Sequence, residues 1–434
     1  MRTGFVAILS VMLGACSGAA GPAGQQGPAG AAGAEGPQGP AGPQGPGLEA
    51  AAPPTGAVYT QSNDPTENQL FVFDRAADGS LTPRDVVSTG GRGTGASLGD
   101  QGALAYSADK NVLFAVNAGD NSISEFELHA DGNVTLMSKV DAGGVDPISV
   151  TVNGDFVYVL DAGDSSNAAT IAGFEIADAG LSPLAGSKQA LSAASPGPAQ
   201  ISFSPDGKVL VVTEKGTNKI DSFVVSNGVA AAAMVRDSVG VTPYGFAWTA
   251  GGQLVVSEAA GGADGASTAS SYAVSTSDGM LTPVSVAVAS SQSAACWAAV
   301  AGSHLYVANA KSNDLSSYQI GSSGGLALVG NGNAGATGKG PVDVAATAKG
   351  DFVYVLDGAD AALTTFAVAS DGSLTKKTDF AASRRTPWVS SPVEGRSPAP
   401  RLPALVVALK STGICDCAGP LVQVCRRSSV APRS

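Results

Sequence analysis

The octapeptide GDFVYVLD occurs twice in this chain, at residues 154–161 and again at residues 350–357. Its apolar run, closed by an aspartate, is typical of a buried β-strand that ends at a polar loop. The copies lie four units of about 49 residues apart, and four short strands with their turns need about that length. The octapeptide therefore predicts a protein built from repeated β units.

Seven segments can be aligned on this strand, and each ends in an acid or an amide although the preceding positions are apolar. The seven terminal residues are Gln61, Asn117, Asp161, Glu214, Glu258, Asn309 and Asp357. Successive ends lie between 44 and 56 residues apart, which is the length of one propeller blade. We predict an all-β fold: a seven-bladed β-propeller of four-stranded blades over residues 56–383, preceded by a collagen-like or polyproline stalk.

The first copy begins directly at a second strand, with no inner strand before it. Propellers close by letting the far end of the chain complete the first blade, which removes an open sheet edge. We expect the closing strand to follow Phe380, with Val389 or residues 402–409 as its source.

The amino terminus predicts export and anchoring. Arg2 precedes a short apolar run, and the segment LGAC at residues 13–16 resembles the lipobox of bacterial lipoprotein signals. The resemblance implies a signal peptide over residues 1–15, lipidation of Cys16, and attachment to the outer membrane on its periplasmic side or at the cell surface. An ordinary secretory signal with an incidental cysteine is the alternative.

Residues 16–55 form a second unusual segment. From Gly18 to Gly45 a glycine falls at every third position, ten in all, with prolines interspersed. This pattern resembles collagen-like repeats, because only glycine fits the axis of three wound chains. A trimeric stalk and a single-chain polyproline spacer are both open.

Charge is unevenly distributed. Residues 56–383 hold 15 Lys+Arg and 32 Asp+Glu, and this acidic balance argues against nucleic-acid binding. Residues 384–434, rich in Pro, Arg and Ser, hold 8 basic and 2 acidic residues. Three interpretations of this tail stay open: a frameshifted reading, a genuine interaction tail, and a metal-binding cluster of Cys415, Cys417 and Cys425.

Several repeat signatures resemble those of the lactonase-type seven-bladed propellers, the group that includes bacterial 6-phosphogluconolactonase. They include SPDGKVLVVTEKGTNKIDSF at residues 204–223, TPYGFAW at 242–248 and LYVANAKSNDLSSYQI at 305–320. The resemblance implies the fold, and it makes lactone hydrolysis one expected activity, although propellers host many functions. A glutamate at this strand end belongs to the presumed active centre of the enzyme-like relatives, so the resemblance points to Glu214 first and Glu258 second.

The seven strand ends are the main candidate site. A second strand ends on the face that carries the connection from the preceding blade, so we expect these side chains to ring the mouth of the central channel. Tyr244 and Asp343 should lie on the same face. The alternative is structural, with each side chain capping backbone N–H groups of the following loop. An oxygen-rich ring would also suit Ca²⁺, and no other cofactor is indicated.

Lactone hydrolysis needs a base, an oxyanion donor and, for a phosphorylated substrate, a cationic clamp. We predict that His129 and His304 are peripheral surface residues, and that Cys296 and Trp297 are packing residues of an inner strand. The arginines fall in or after predicted outer strands: Arg75, Arg84, Arg92 and Arg236. The sequence therefore favours an enzymatically silent surface propeller that binds an external ligand or protein, with a lactone hydrolase as the alternative.

Overall fold

The computed structural model describes residues 27, 30, 54–377, 379–381 and 404–406. The chain divides into two units, Met1–Ala51 and Ala52–Ser434, and in the first unit Gly27 and Gly30 are the described residues. The expectations for the signal peptide, Cys16, the collagen-like segment and most of the tail lie outside the described residues. No helix within the described part is long and apolar enough to cross a membrane.

The second unit is a seven-bladed β-propeller, as predicted, and its blades follow one another along the chain. The first three blades contain β1 (Gly56–Gln61), β2 (Gln69–Arg75) and β3 (Leu81–Ser88); then β4 (Leu104–Ser107), β5 (Val112–Asn117), β6 (Ser122–Leu128) and β7 (Val134–Asp141); then β8 (Pro147–Asn153), β9 (Phe156–Asp161), β10 (Thr170–Ala177), β11 (Gly180–Pro183) and β12 (Gln189–Ala190).

The fourth and fifth blades contain β13 (Pro198–Phe203), β14 (Val209–Glu214), β15 (Lys219–Ser226), β16 (Val229–Ala230) and β17 (Met234–Asp237); then β18 (Pro243–Trp248), β19 (Leu254–Glu258), β20 (Thr268–Val274) and β21 (Leu281–Ala289), with a 3₁₀ turn at Ala260–Gly262. The last two contain β22 (Ala295–Ala301), β23 (His304–Asn309), β24 (Asp314–Ile320), β25 (Leu326–Leu328) and β26 (Gly335–Ala336); then β27 (Pro341–Ala346), β28 (Phe352–Asp357), β29 (Ala362–Val368), β30 (Leu374–Lys376) and β31 (Phe380–Ala381).

Burial explains the different sequence patterns of the strands. Every residue of the second strand β14 is buried, because neighbouring blades cover both of its faces and a nearly continuous apolar run results. The outermost strand β7 alternates between partly buried and exposed positions, as a strand with one solvated face does. The seven predicted second strands all end at the predicted residues.

Tyrosine hydroxyls form hydrogen bonds between neighbouring blades. The Tyr158 hydroxyl donates a hydrogen bond to the Gly228 carbonyl oxygen at 2.9 Å, and the Tyr306 hydroxyl does the same to Gly372 at 2.6 Å. Each glycine lies in the outer hairpin turn of the next blade. Buried phenol groups therefore have partners, and each bond fixes the angle between two blades.

The last described strand, β32 (Ala404–Val406), completes the first blade by pairing with β1. This confirms that the far end of the chain supplies the inner strand, within one of the two expected stretches. The pairing is parallel, whereas the inner strands of the other six blades run antiparallel to their second strands.

Candidate functional site

The seven strand-end side chains are buried, and none is more than 1% exposed. They lie in the packing between each blade and the connection that arrives from the preceding blade. Tyr244 and Asp343 are buried as well. The expectation that the seven strand ends and Tyr244 are presented at an open channel mouth is therefore wrong, whereas Asp343 lines a cavity beside Gln101. The reason is that the connections fold over the strand ends and cover them.

Several strand ends share one arrangement, in which the side chain is hydrogen-bonded to a hydroxyl seven residues further on, in the third strand. The partners are Asn117 with Ser124 at 2.8 Å, Asn309 with Ser316 at 2.8 Å, and Asp357 with Thr364 at 2.6 Å. Such residues are diagonal neighbours on one face of the sheet. In these three blades the strand end ties two strands together through side chains.

Glycine marks the connection where it crosses a strand end. A Cβ added at Gly240 would lie 1.8 Å from the Glu258 carboxyl carbon, and one at Gly144 would lie 2.3 Å from Asp161 Oδ2. No side chain fits in either gap. The same holds at Gly338, where a Cβ would lie 2.7 Å from the Asp357 carboxyl group.

Enclosure changes the acidity of these carboxyl groups. Burial raises the pKa of Asp161 to about 8 and that of Asp357 to about 6. Burial also raises the pKa of Glu258, although the nearby hydroxyls of Ser270 and Thr268 partly offset the change. A charged carboxylate is costly to bury, so burial favours the neutral form of each of these three carboxyl groups.

The fourth blade departs from this arrangement. Ser192 stands in its connection where other blades have glycine, and its N–H donates to Glu214 Oε1 and to Asp221 Oδ2, each at 3.0 Å. The Ser192 hydroxyl donates a very short hydrogen bond to Glu214 Oε2. Thr217 donates to the same oxygen at 2.5 Å. Glu214 is thus held by two hydroxyls and one backbone amide.

Asp221 places a second carboxyl group beside Glu214. It lies on β15, seven residues after Glu214, where three other blades have Ser or Thr. Burial, together with a hydrogen bond to Glu214, raises the pKa of Asp221 to about 8. The raised pKa favours the protonated form of Asp221, which can donate a hydrogen bond to Glu214.

The connection separates this acid pair from the protein surface. Glu214 and Asp221 have no exposed surface, whereas Ser192 and Thr217 are partly exposed and the next residues, Ala193 to Ser195, are exposed. Ser192 and Thr217, both partly exposed residues, are thus hydrogen-bonded to the buried acid pair of Glu214 and Asp221. The sequence indicated Glu214 alone, although the repeat alignment already showed an acid at position 221.

The central channel is closed on the same face by the connection between the first two blades. The Gln101 amide bonds the Ala298 carbonyl oxygen at 2.9 Å and the Ala298 N–H at 3.0 Å. The Trp297 indole N–H donates to the Asp100 carbonyl oxygen at 2.7 Å. Lys215 donates to the Gly99 carbonyl oxygen at 2.8 Å. A cavity of about 220 Å³ remains beside Gln101, lined by inner strands.

The remaining candidates lie away from Glu214. His129 is partly exposed and bonds Thr135, but His304 is only 6% exposed, so its predicted surface position is wrong. It lies beneath the next blade's turn, where a Cβ on Gly372 would be 2.3 Å from the imidazole ring. Within the described part of the chain, no histidine or arginine is hydrogen-bonded or ion-paired to Glu214.

The arginines occupy the predicted places. Arg84, on β3, forms an ion pair with Asp74 at 2.6 Å, and Arg236 is part of β17.

Cys296 and Trp297 are fully buried on the inner strand β22, but Cys296 is also disulfide-bonded. No three Asp, Glu, His or Cys side chains among the described residues are arranged to hold a metal ion, and calcium stays a prediction.

Known proteins share this architecture. A family model described as "Lactonase, 7-bladed beta-propeller" matches residues 65–192, 180–296 and 287–390. The periplasmic gluconolactonase of Pseudomonas aeruginosa is 20% identical with a TM-score of 0.60, covering 75% of this chain and 96% of that one. A putative 6-phosphogluconolactonase from Bacteroides fragilis is 18% identical with a TM-score of 0.59, covering 81% and 97%. No curated protein matches the chain. At these identities the likeness to solved structures shows the fold alone.

Proposed function

The chain belongs to the lactonase family of seven-bladed β-propellers, and on that premise we propose that it hydrolyses a lactone with Glu214 as the base. The observation that carries the proposal is the hydrogen bond to Glu214 from the hydroxyl of Ser192, a partly exposed residue, with Asp221 beside Glu214. Ester and lactone hydrolysis begins when a base removes a proton from an attacking hydroxyl group or water.

The second acid supports this role. Burial and the neighbouring Glu214 raise the pKa of Asp221 to about 8, which favours its protonated form. It therefore donates to Glu214 and holds the carboxylate in place. A carboxyl group whose pKa is raised by burial, next to a second carboxyl group, is a common arrangement in acid–base catalysis.

The neighbouring cations favour a lactone without phosphate. Lys219 is paired with Asp237 at 2.8 Å, and Lys215 donates to the carbonyl oxygens of Gly99 and Pro198. A phosphate clamp would need cationic donors that converge on the substrate, whereas these two lysines already have protein partners. The names of the similar solved proteins include both gluconolactonase and 6-phosphogluconolactonase, so both substrate classes belong in the test.

The test is hydrolysis of phosphorylated and unphosphorylated lactones by the full chain, compared with Glu214→Gln. We expect turnover of unphosphorylated lactones and a loss of at least about 100-fold in the variant, since general base catalysis contributes about that much. Glu175→Gln, at an exposed position of β10, is the control and should leave turnover intact. Wild-type turnover no faster than the uncatalysed rate would exclude the proposal.

A second candidate function is binding of an external partner, and the charge distribution supports it. Turn aspartates on the face opposite the strand ends have lowered pKa values because serine hydroxyls in the same turns bond them: Asp78, Asp109, Asp278 and Asp371. These side chains stay ionised, so the turn face carries a set of acidic groups. A basic partner would bind there, with an affinity that falls as salt rises.

A further inference from the structure

We propose that Ser192 is the nucleophile of the reaction, which then passes through an ester between Ser192 Oγ and the acyl group of the lactone. The inference rests on the proposed function and gives it a mechanism. It assigns a covalent role to a residue in the connection between the third and fourth blades.

Exposure is the first argument. Glu214 has no exposed surface, so a lactone at the surface cannot contact its carboxylate directly. Ser192 is partly exposed and its hydroxyl already donates to Glu214 Oε2. A proton can therefore reach the base from the surface through this hydroxyl.

The three groups also have a fixed order. The Ser192 hydroxyl contacts Glu214, and Glu214 contacts Asp221. The Ser192 N–H is bonded to both carboxyl groups at 3.0 Å, which fixes the backbone that carries the hydroxyl. Nucleophile, base and a third group that orients the base are the arrangement that activates serine in hydrolases.

The surface beside Ser192 offers space for an acyl group and a backbone N–H donor. Ala193, Ala194 and Ser195 are small and exposed, so an acyl group has room beside Ser192. The Ala193 N–H makes no backbone hydrogen bond within the described residues. The N–H that follows a nucleophile is a frequent oxyanion donor, and this one is available for that role.

The reaction balances with these groups and water. Ser192 Oγ attacks the lactone carbonyl carbon as its proton moves to Glu214, and the ring C–O bond breaks. The leaving oxygen takes that proton and becomes the hydroxyl of the ring-opened acyl chain. Water then attacks the Ser192 ester, passes a proton through Glu214 to Ser192 Oγ, and releases the hydroxy acid. Asp221 acts as a positioning residue, because it bonds Glu214 and touches no substrate.

Thr217 is the rival nucleophile, because its hydroxyl also donates to Glu214 Oε2. Its alcohol is secondary and more hindered than that of serine. We therefore assign Thr217 to holding Glu214 and expect Thr217→Val to keep the covalent step.

The experiment treats the full chain with a fluorophosphonate probe, which esterifies activated serines, and locates the adduct by peptide mass spectrometry. We expect the adduct on Ser192 in the wild type and none on this peptide in Ser192→Gly. Glycine is the natural residue at the equivalent place in other blades, so this variant should keep the fold. Ser195→Ala, three residues along the same connection, is the matched control and should label as the wild type does.

Turnover measured on the same proteins separates the two proposals. Ser192→Gly should lose at least about 100-fold in turnover. Full turnover in Ser192→Gly would overturn the Ser192 nucleophile and leave Glu214 acting on water. Turnover by the wild type with no adduct on Ser192 would overturn it as well. A wild type that turns over no lactone would overturn the proposed function itself.

Discussion

The Tyr354 hydroxyl donates a hydrogen bond to the Gly79 carbonyl oxygen at 2.8 Å and so joins the seventh blade to the first. The same bond links Tyr306 to Gly372 between the sixth and seventh blades. Phe73 and Phe380 pack edge to face across the same closure, with ring centroids 5.2 Å apart. The ring is therefore closed by side chains of the second, third and outer strands as well as by the inner strand β32.

Tyr354→Phe removes the closing hydrogen bond and should lower the free energy of unfolding by about 1 kcal/mol or more, since it leaves a buried carbonyl oxygen without its partner. Denaturant unfolding measures the loss. Tyr306→Phe removes the equivalent bond away from the closure and is the control. Limited proteolysis should cut the first blade faster in Tyr354→Phe alone, and equal cleavage in both variants would contradict a special role for the closing bond.

Asp161 should make the fold less stable as pH rises. Burial raises its pKa from 3.8 to about 8, so between these values the folded protein keeps a proton that the unfolded chain releases. Stability then falls from about pH 4 to about pH 8, by about 1.4 kcal/mol per unit of pKa difference at most. Asp161→Asn should flatten this dependence and raise the melting temperature at pH 8, with little change at pH 4.

Thermal unfolding across this pH range tests the prediction. Asp178→Asn, at an exposed turn, should leave the slope unchanged. A slope that persists in Asp161→Asn would show that the pH dependence comes from other groups, of which Asp221 is the first to examine.

Gly240→Ala should destabilise the fifth blade. The new Cβ would lie 1.8 Å from the Glu258 carboxyl carbon, and relieving such a clash in a packed interior costs about 1–3 kcal/mol or more. Gly251→Ala is the control, because its Cβ would meet the flexible end of Gln253 instead. Chemical denaturation of both variants gives the comparison, and equal stability would mean that the connection can move aside.

Cys16→Ser should release the protein from the membrane fraction, since the predicted lipid is attached to this thiol. Cell fractionation with an antibody to the propeller measures the change. Ser17→Asp keeps the cysteine and should stay membrane-bound. Retention of Cys16→Ser in carbonate-washed membranes would contradict anchoring through this residue.

The sequence by itself determined the repeat, the number of blades and the end of every second strand. These features are local, because alternation, apolar runs and turn residues are encoded by neighbours in the chain. The alignment that ended at Gln61 and Asp357 holds in the structure for this reason. The acid at position 221 could be found from the sequence in the same way, since the repeat aligns this position with Ser124 and Thr364.

Tertiary structure alone decided what covers each strand end. His304 begins a strand in the same way as exposed residues do, yet the following blade covers it. Gln101 reaches Ala298, nearly two hundred residues away, to close the channel. Ser192 contacts Glu214 because the connection from the third blade passes over the strand end of the fourth. Burial and contact between distant segments depend on how blades pack around the ring, and no local pattern records that packing.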